Sequence, residues 1–421
     1  MGGGGDDMMP WEGWRDEHDY EALAERFGTP FYLYDRARLQ AQCARVREAF
    51  DQPISLYYAV KANPNKALLQ LLREEGWVDG LDIASAGEWE LGLSAGWSPE
   101  QMSVAGPAKT DTFLQSLLEQ RAGVSCVESL EELQRLERLH RETGCSHRIH
   151  VMLRINPKTP ILAFGLKISG FANPFGIDEE RLPEAIEWIK KREQVFAFQG
   201  LHVHGGSQCF SGKAMGVHLE TVLGLVETCE DAGLPVKCAN VGGGFGVSIW
   251  KPARMIDVGA VARQLRLRFR ETDVRPLIRF ELGRYLSAPT GLFVARVIST
   301  KASRDGQLCM VDGGMNHYKA ASLREVEGGK KELLVEHLSS SSEVREQYML
   351  CGPLCTPLDR MGDDITLPPV APGDLLGWPN AGAYGLTMSP LLFLGHETPA
   401  EVLFDGHEYR LIRRRIRAIE W

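Results

Sequence analysis

No apolar run in this 421-residue chain reaches the roughly 18 residues that a membrane-spanning helix needs, so no membrane partner is expected. A surplus of positive charge is missing too. The 47 Lys and Arg stand against 56 Asp and Glu, and a net charge of −9 argues against a general nucleic-acid binder. There is no C-x-x-C pair. The nine cysteines are odd in number and scattered from Cys43 to Cys355, which fits reduced thiols in the cytoplasm better than a disulfide framework or a zinc site. The opening Met-Gly-Gly-Gly-Gly-Asp-Asp lacks the basic and apolar regions of a signal peptide and reads as a flexible leader. What is present is globular in character: 44% hydrophobic, 24% charged, and long enough for two domains.

From residue 54 onward, short apolar strands alternate with amphipathic helices. The strand candidates are 54–60, 80–84, 102–105, 123–127, 150–155, 198–204, 237–241 and 277–282. Helical patterns such as 66–75, 86–95, 130–142, 182–192 and 216–232 fall between them. Eight such units predict an α/β chain built on a (β/α)8 TIM barrel, with a doubly wound open sheet as the alternative. After Arg284 the pattern changes to strands with turns: 292–299, 307–311, 346–350, 374–378, 400–404 and 408–419. The expected organisation is a leader and helix over 1–30, a barrel over 31–284, and a mostly β domain over 285–421 that the strand near 31–34 joins. Residues 330–345, with four consecutive serines, read as a mobile surface loop. The run 410–417 reads as a strand with one solvated basic face.

Chemistry in a parallel barrel collects at the carboxyl ends of the strands, where this chain places Lys61, Asp82, Arg154, His204 and Glu281. Lys61 ends an alternating strand in Tyr57-Tyr58-Ala59-Val60-Lys61-Ala62-Asn63. A lysine at the mouth of an apolar strand suits a nucleophile toward carbonyls; it also suits a plain surface residue. His202 and His204 share a strand face and admit a metal pair, although no later His and Asp set matches them. Gly242-Gly243-Gly244-Phe245-Gly246 is a candidate anion cradle or merely a tight turn, and Val247 breaks the dinucleotide fingerprint. Glu281-Leu282-Gly283-Arg284 reads as a strand-end ion pair or as a carboxylate and a guanidinium at a site.

Taken together, these strings resemble the fold type III (alanine racemase-like) pyridoxal-phosphate enzymes, and among them the diaminopimelate and ornithine decarboxylases. The resemblance runs from about Thr29 to Leu403 with five motifs in order. It implies pyridoxal 5'-phosphate as cofactor, held by Lys61, with His204 stacked on its ring in His204-Gly205-Gly206-Ser207-Gln208. Ser207, Gly242, Gly243, Gly244, Gly283, Arg284 and Tyr384 are implied as further cofactor contacts. Glu281 is implied at the pyridine nitrogen, which strengthens the electron sink. Alanine racemases place an arginine there, so Glu281 favours decarboxylation. Cys351-Gly352-Pro353-Leu354-Cys355-Thr356-Pro357-Leu358-Asp359 resembles the family's G-P-x-C-x-x-x-D signature. Its cysteine, here Cys355, is the proton donor and reaches the active site of a partner subunit, so a homodimer with shared sites is implied.

Thr356 stands where the diaminopimelate and ornithine enzymes carry an acid for a distal amine. No Arg-Pro-x-x-Tyr string follows Met315-Asn316-His317. The string C-T-P-x-D resembles an atypical branch acting on carrier-protein-tethered aminoacyl groups or siderophore precursors. The expected activity is therefore decarboxylation of an amino acid or amino-acid conjugate. Arg154, Arg284, Thr356 and Asp359 are expected at the substrate, no metal is required, and Arg413, Arg415 and Arg417 offer a docking face for an acidic carrier. A standard diaminopimelate or ornithine decarboxylase is the alternative, followed by a non-catalytic pyridoxal-phosphate carrier and a metal hydrolase.

Overall fold

The computed structural model describes residues 12–160, 164–251, 253–304, 306–322 and 332–420. The glycine-rich leader and Lys330 and Lys331 of the expected loop lie outside the described residues. The chain divides into two compact units. One gathers the residues up to Gln42, Val247–Arg254 and everything from Arg284 onward; the other takes Cys43–Gly246 and Met255–Gly283.

The second unit is a closed barrel of eight parallel strands. We number them β1 (Ile54–Ala59), β2 (Gly80–Ile83), β3 (Met102–Val104), β4 (Val124–Val127), β5 (Ile149–Asn156), β6 (Phe196–His202), β7 (Cys238–Asn240) and β8 (Leu277–Leu282). Each pairs with its sequence neighbour, and β8 closes on β1 through Glu281↔Tyr57 and Leu282↔Tyr58. Helices cover the outside, so most strand residues are buried on both faces and read as near-continuous apolar runs. The helices start where the local sequence caps them. Ser85, Thr110 and Ser129 each accept an N–H from the third residue onward at the heads of Ala86–Ser94, Asp111–Glu119 and Leu130–Glu142. A two-stranded ribbon, Phe164–Lys167 against Gly206–Cys209, was not anticipated from the sequence.

The other unit is built on a nine-stranded mixed sheet. Phe31–Asp35 runs antiparallel to Gly291–Ser303 and parallel to Ala400–Phe404 within it. Its apolar centre includes Trp14, Tyr20, Leu23, Phe31, Leu33, Leu292, Val294, Leu375 and Val402. Two expectations are corrected here. The described part of the supposed mobile loop is tied to the sheet: Glu336–His337 pairs with Leu376 and Gly377, and Ser339 Oγ accepts from the Leu375 N–H at 2.9 Å. The basic strand expected over 408–419 ends at Arg413. Beyond it Arg415 turns inward and donates to the carbonyls of Phe27 and Pro30. Arg413 pairs with buried Glu401, and Arg417 with Glu420. Arg413 and Arg415 are thus engaged within the chain's own structure, while Arg410, Arg414 and Arg417 stay exposed.

Candidate active site

Tyr58 and Val60 are buried, and β1 stops at Ala59. A single 3-10 turn, Val60–Ala62, then lifts Lys61 out of the strand. Its ammonium lies 3.2 Å from Oδ2 of Asp82, at the end of β2; the lysine side chain is 48% exposed and the aspartate 3%. The cation of this pair is thus the accessible member, as a group that must meet an incoming carbonyl requires.

Glu281, near the end of β8, is buried. Its Oε1 accepts from Asn240 Nδ2 at 2.5 Å, across from β7. Its Oε2 lies 3.4 Å from His202 Nε2 without forming a hydrogen bond, and both His202 ring nitrogens are buried without hydrogen-bond partners. Burial first, and the charge of Asp82 second, push the Glu281 carboxyl up to about 7, against the opposing effects of Asn240, Lys61 and Arg279. His202 is driven well below the usual imidazole range by burial and then by Arg154. Among the described residues no group of three or more His, Cys, Asp or Glu is arranged to hold a metal ion.

His204 follows β6 by two residues. Its Nδ1 accepts the N–H of Gly243 at 3.2 Å, which leaves Nε2 as the protonated nitrogen of a neutral ring. Burial, followed by the charges of Lys61 and Arg154, lowers its proton affinity accordingly. The glycine turn has a steric reason. A Cβ on Gly242 would lie 2.4 Å from His204 Nδ1, and one on Gly243 would lie 2.1 Å from the Glu281 carbonyl. A Cβ on Gly244 would meet the Gly206 carbonyl at 2.3 Å, and Gly242 and Gly244 have φ of +65° and +87°. The N–H of Gly242 is itself engaged by Asn240 Oδ1. This turn brings Glu281, Asn240, His204 and the Gly206-Ser207 ribbon into one cluster, with Ser207 half-buried.

Arg154, at the end of β5, does not stand alone. Its guanidinium donates to Glu128 Oε1 at 2.7 Å and lies over the Phe175 ring. Glu128 also accepts from the N–H groups of Gly106 and Gly176. Next to it Lys109 Nζ lies 2.8 Å from Glu132 Oε1 and donates to the carbonyls of Gly106 and Cys126. The four charges are buried and balance two against two, which offsets the cost of removing them from water. Sequence reading did not find Asn240, Glu128, Lys109 or Glu132. The available signal was a polar residue at or just past the end of an apolar strand, as in Asn240 and Glu128.

In the β unit, Arg284 and Tyr384 come together, with the guanidinium 4.5 Å from the ring centroid. Tyr384 sits at φ +53°, a left-handed conformation uncommon for a tyrosine, on a loop packed so closely that a Cβ on Gly382 would meet the Ser287 carbonyl. Cys355 is exposed on the turn after Gly352-Pro353-Leu354. Thr356 is half-buried, and its Oγ1 accepts the Leu358 N–H. Asp359 differs from expectation. It is buried, and its oxygens accept the N–H groups of Met315 and Leu354, so it anchors backbone and has no face for a substrate.

The residues present fit the implied cofactor. A buried carboxylate with raised proton affinity at the barrel mouth suits a protonated ring nitrogen, an accessible amine stands beside it, and a glycine turn brings a neutral imidazole against backbone.

Residues 36–288 match the family described as pyridoxal-dependent decarboxylase, pyridoxal binding domain. The L-glutamyl-[BtrI acyl-carrier protein] decarboxylase of Niallia circulans is 35% identical over 95% of this chain and 94% of its own length. The diaminopimelate decarboxylase of Pseudomonas aeruginosa is 34% identical over 93% of this chain and 92% of its own. The crystal structure of diaminopimelate decarboxylase from M. jannaschii in co-complex with L-lysine superposes with a TM-score of 0.87 at 26% identity, covering 96% of this chain and 94% of that one.

Proposed function

Because this chain belongs to the pyridoxal-dependent decarboxylases, a family of carboxy-lyases, we propose that its particular substrate is an amino-acid conjugate, a carrier-tethered aminoacyl group, from which it removes the α-carboxylate. The observation that carries this reading is the composition of the Cys355 turn. Thr356 follows the cysteine where an acid would pair a distal ammonium, and its hydroxyl serves the Leu358 N–H. The next acid, Asp359, is engaged by Met315 and Leu354. A distal ammonium brought to this turn would be buried without a carboxylate, which is strongly disfavoured. A distal end that is amidated, esterified or tethered brings no such charge. The Niallia circulans relative, named for a glutamyl group on an acyl-carrier protein, supports the same class. The diaminopimelate decarboxylases at similar identity keep free diaminopimelate as the second reading.

Pyridoxal phosphate, when bound, supplies the electron sink for the electrons that carbon dioxide leaves behind. Lys61, whose amine is the accessible member of its pair with Asp82, would hold it. Glu281, oriented by Asn240, would keep the ring nitrogen protonated. His204, fixed as a neutral ring by the Gly243 N–H, would lie against the ring, and Ser207, Gly244, Gly283, Arg284 and Tyr384 would take the phosphate, while Gly242 and Gly243, whose own N–H groups Asn240 and His204 engage, shape the turn. Arg154, held by Glu128, and Thr356 face the substrate. Cys355 returns a proton to the α-carbon, giving the amine.

The working unit in this reading is a homodimer with shared sites. Leu392, Phe393 and Leu394 are 60%, 45% and 51% exposed in one run, and Leu358, beside the Cys355 turn, is 69% exposed; so much apolar surface supports a protein partner. No described helix is long and apolar enough to cross a membrane, and all nine cysteines are free, which supports a reducing, cytoplasmic setting.

The test is carbon dioxide release from free diaminopimelate and from carrier-bound aminoacyl groups, on wild type and on Thr356→Glu. Wild type should prefer the conjugate, and the variant should move toward the free diamine. Wild type that prefers free diaminopimelate defeats the reading.

A further inference from the structure

We propose that Asp359 is a positioning residue that fixes the Cys355 turn by clamping two separate loops through their backbone amides. The inference rests on the reading of Cys355 as the proton donor.

Its side chain is buried, and among the described residues no Lys or Arg forms an ion pair with it. One oxygen accepts the Met315 N–H at 2.6 Å and the other the Leu354 N–H at 2.8 Å, while its own carbonyl accepts the Gly352 N–H at 3.1 Å. A buried carboxylate that meets only amide N–H groups is held for their geometry, and charge-assisted bonds of this kind are short and directional. Both loops are shaped to admit it. A Cβ on Gly314 would lie 2.6 Å from Asp359 Oδ2, and one on Gly352 would lie 2.3 Å from the same atom. Leu354 is the residue immediately before Cys355. On its other side the chain folds back through Thr356 N–H to the Leu354 carbonyl and Asp359 N–H to the Thr356 carbonyl. The exposed thiol is therefore carried on a short turn pinned at both ends, and the pin reaches 44 residues back to Met315. A group that delivers a proton to one carbon must be held to within about 0.5 Å, and Cys355, itself exposed, takes its placing from the buried Leu354 and Asp359 on either side of it.

The decisive variant is Asp359→Asn. It keeps the shape but turns one acceptor into a donor facing an N–H. In the holoenzyme, kcat should fall at least about tenfold with KM within about twofold, since a misplacement near 1 Å is costly in rate and not in binding. The rate of iodoacetamide labelling at Cys355, read by mass spectrometry on the same protein, should change at least about threefold as the turn loosens. Gly314→Ala keeps the carboxylate and pushes on it from the other loop; it should give the same pair of changes, and it decides the matter if the asparagine variant does not fold. Unchanged labelling at Cys355 in the folded variants overturns the proposal, as does a rise in KM with kcat preserved, which would mark a substrate contact. Wild-type turnover in Cys355→Ala would instead remove the proton-donor reading, and the labelling rates would still decide the clamp.

Discussion

Glu281 makes the stability of the cofactor-free protein fall as pH rises from mildly acidic to neutral. In the unfolded chain its carboxyl titrates at the ordinary 4.5; in the fold, burial and the neighbouring Asp82 hold it at about 7. Below 4.5 both states carry the proton and the contribution is fully present. Between 4.5 and 7 the unfolded chain releases its proton while the folded one keeps it, so the unfolded state gains and stability declines; above 7 the slope ends. A separation of about 2.5 units, at about 1.4 kcal/mol each, is on the order of 3 kcal/mol. Glu281→Gln fills the same space, can still meet Asn240 through its amide, and cannot ionise. The assay is urea unfolding of wild type and variant, stripped of cofactor, at several pH values from 4.5 to 7.5. The variant should be the weaker or equal protein at pH 4.5 and gain on wild type by a few kcal/mol by pH 7.5. With cofactor restored, the wild-type slope should shrink, because a ring-nitrogen proton would then stabilise the ionised carboxylate. Parallel curves for the two stripped proteins would refute a placement of Glu281 in which burial outweighs Lys61 and Arg279, on which its proposed role at the ring depends.

Lys61 is the predicted anchor, so borohydride should fix pyridoxal phosphate to Lys61 in wild type, and Lys61→Ala should retain no label at any lysine after denaturation. The buried pair Lys109–Glu132, at 2.8 Å, should be costly to break from one side. Glu132→Leu should destabilise by about 3–5 kcal/mol in denaturant, and adding Lys109→Met should recover most of that loss. If active sites are shared between subunits, mixing Lys61→Ala with Cys355→Ala protein should restore part of the turnover that each lacks. No recovery after proven subunit exchange would place both residues in one chain's site.

The barrel was legible because its strands carry their own signal. β8 falls where the apolar run ends at Leu282, and the other seven differ from expectation by only a residue or two at their ends. Lys61, Glu281 and His204 were legible for the same reason, as polar residues closing apolar strands. The contacts that orient them were not. Asn240 meets Glu281 across 41 residues, and Glu128 reaches Gly176 across 48, so no local pattern announces either bond. The tail misled the reading in the opposite way. Alternating Arg and Ile or Leu over 410–417 continues a strand pattern past Arg413, where the strand ends, and Arg415 is drawn to the Phe27 and Pro30 carbonyls, nearly 390 residues away in sequence.

Asp359 shows how far such long-range bonds bear on substrate choice. In the sequence it is one more acid near the proton donor, as eligible to grip an amine as any other. Burial and two amide N–H partners remove it from that role, and the remaining polar group on the turn, Thr356, already accepts a backbone N–H. The turn thus carries a thiol, a hydroxyl and no available negative charge, while the apolar side chain of Leu358 stands largely exposed beside them. A cationic distal end gains nothing there and loses its water; a neutral or conjugated one loses little and can cover Leu358. The proposed preference for a conjugate therefore rests on what the fold has done with the acid that is present, as much as on the acid that the cysteine lacks beside it.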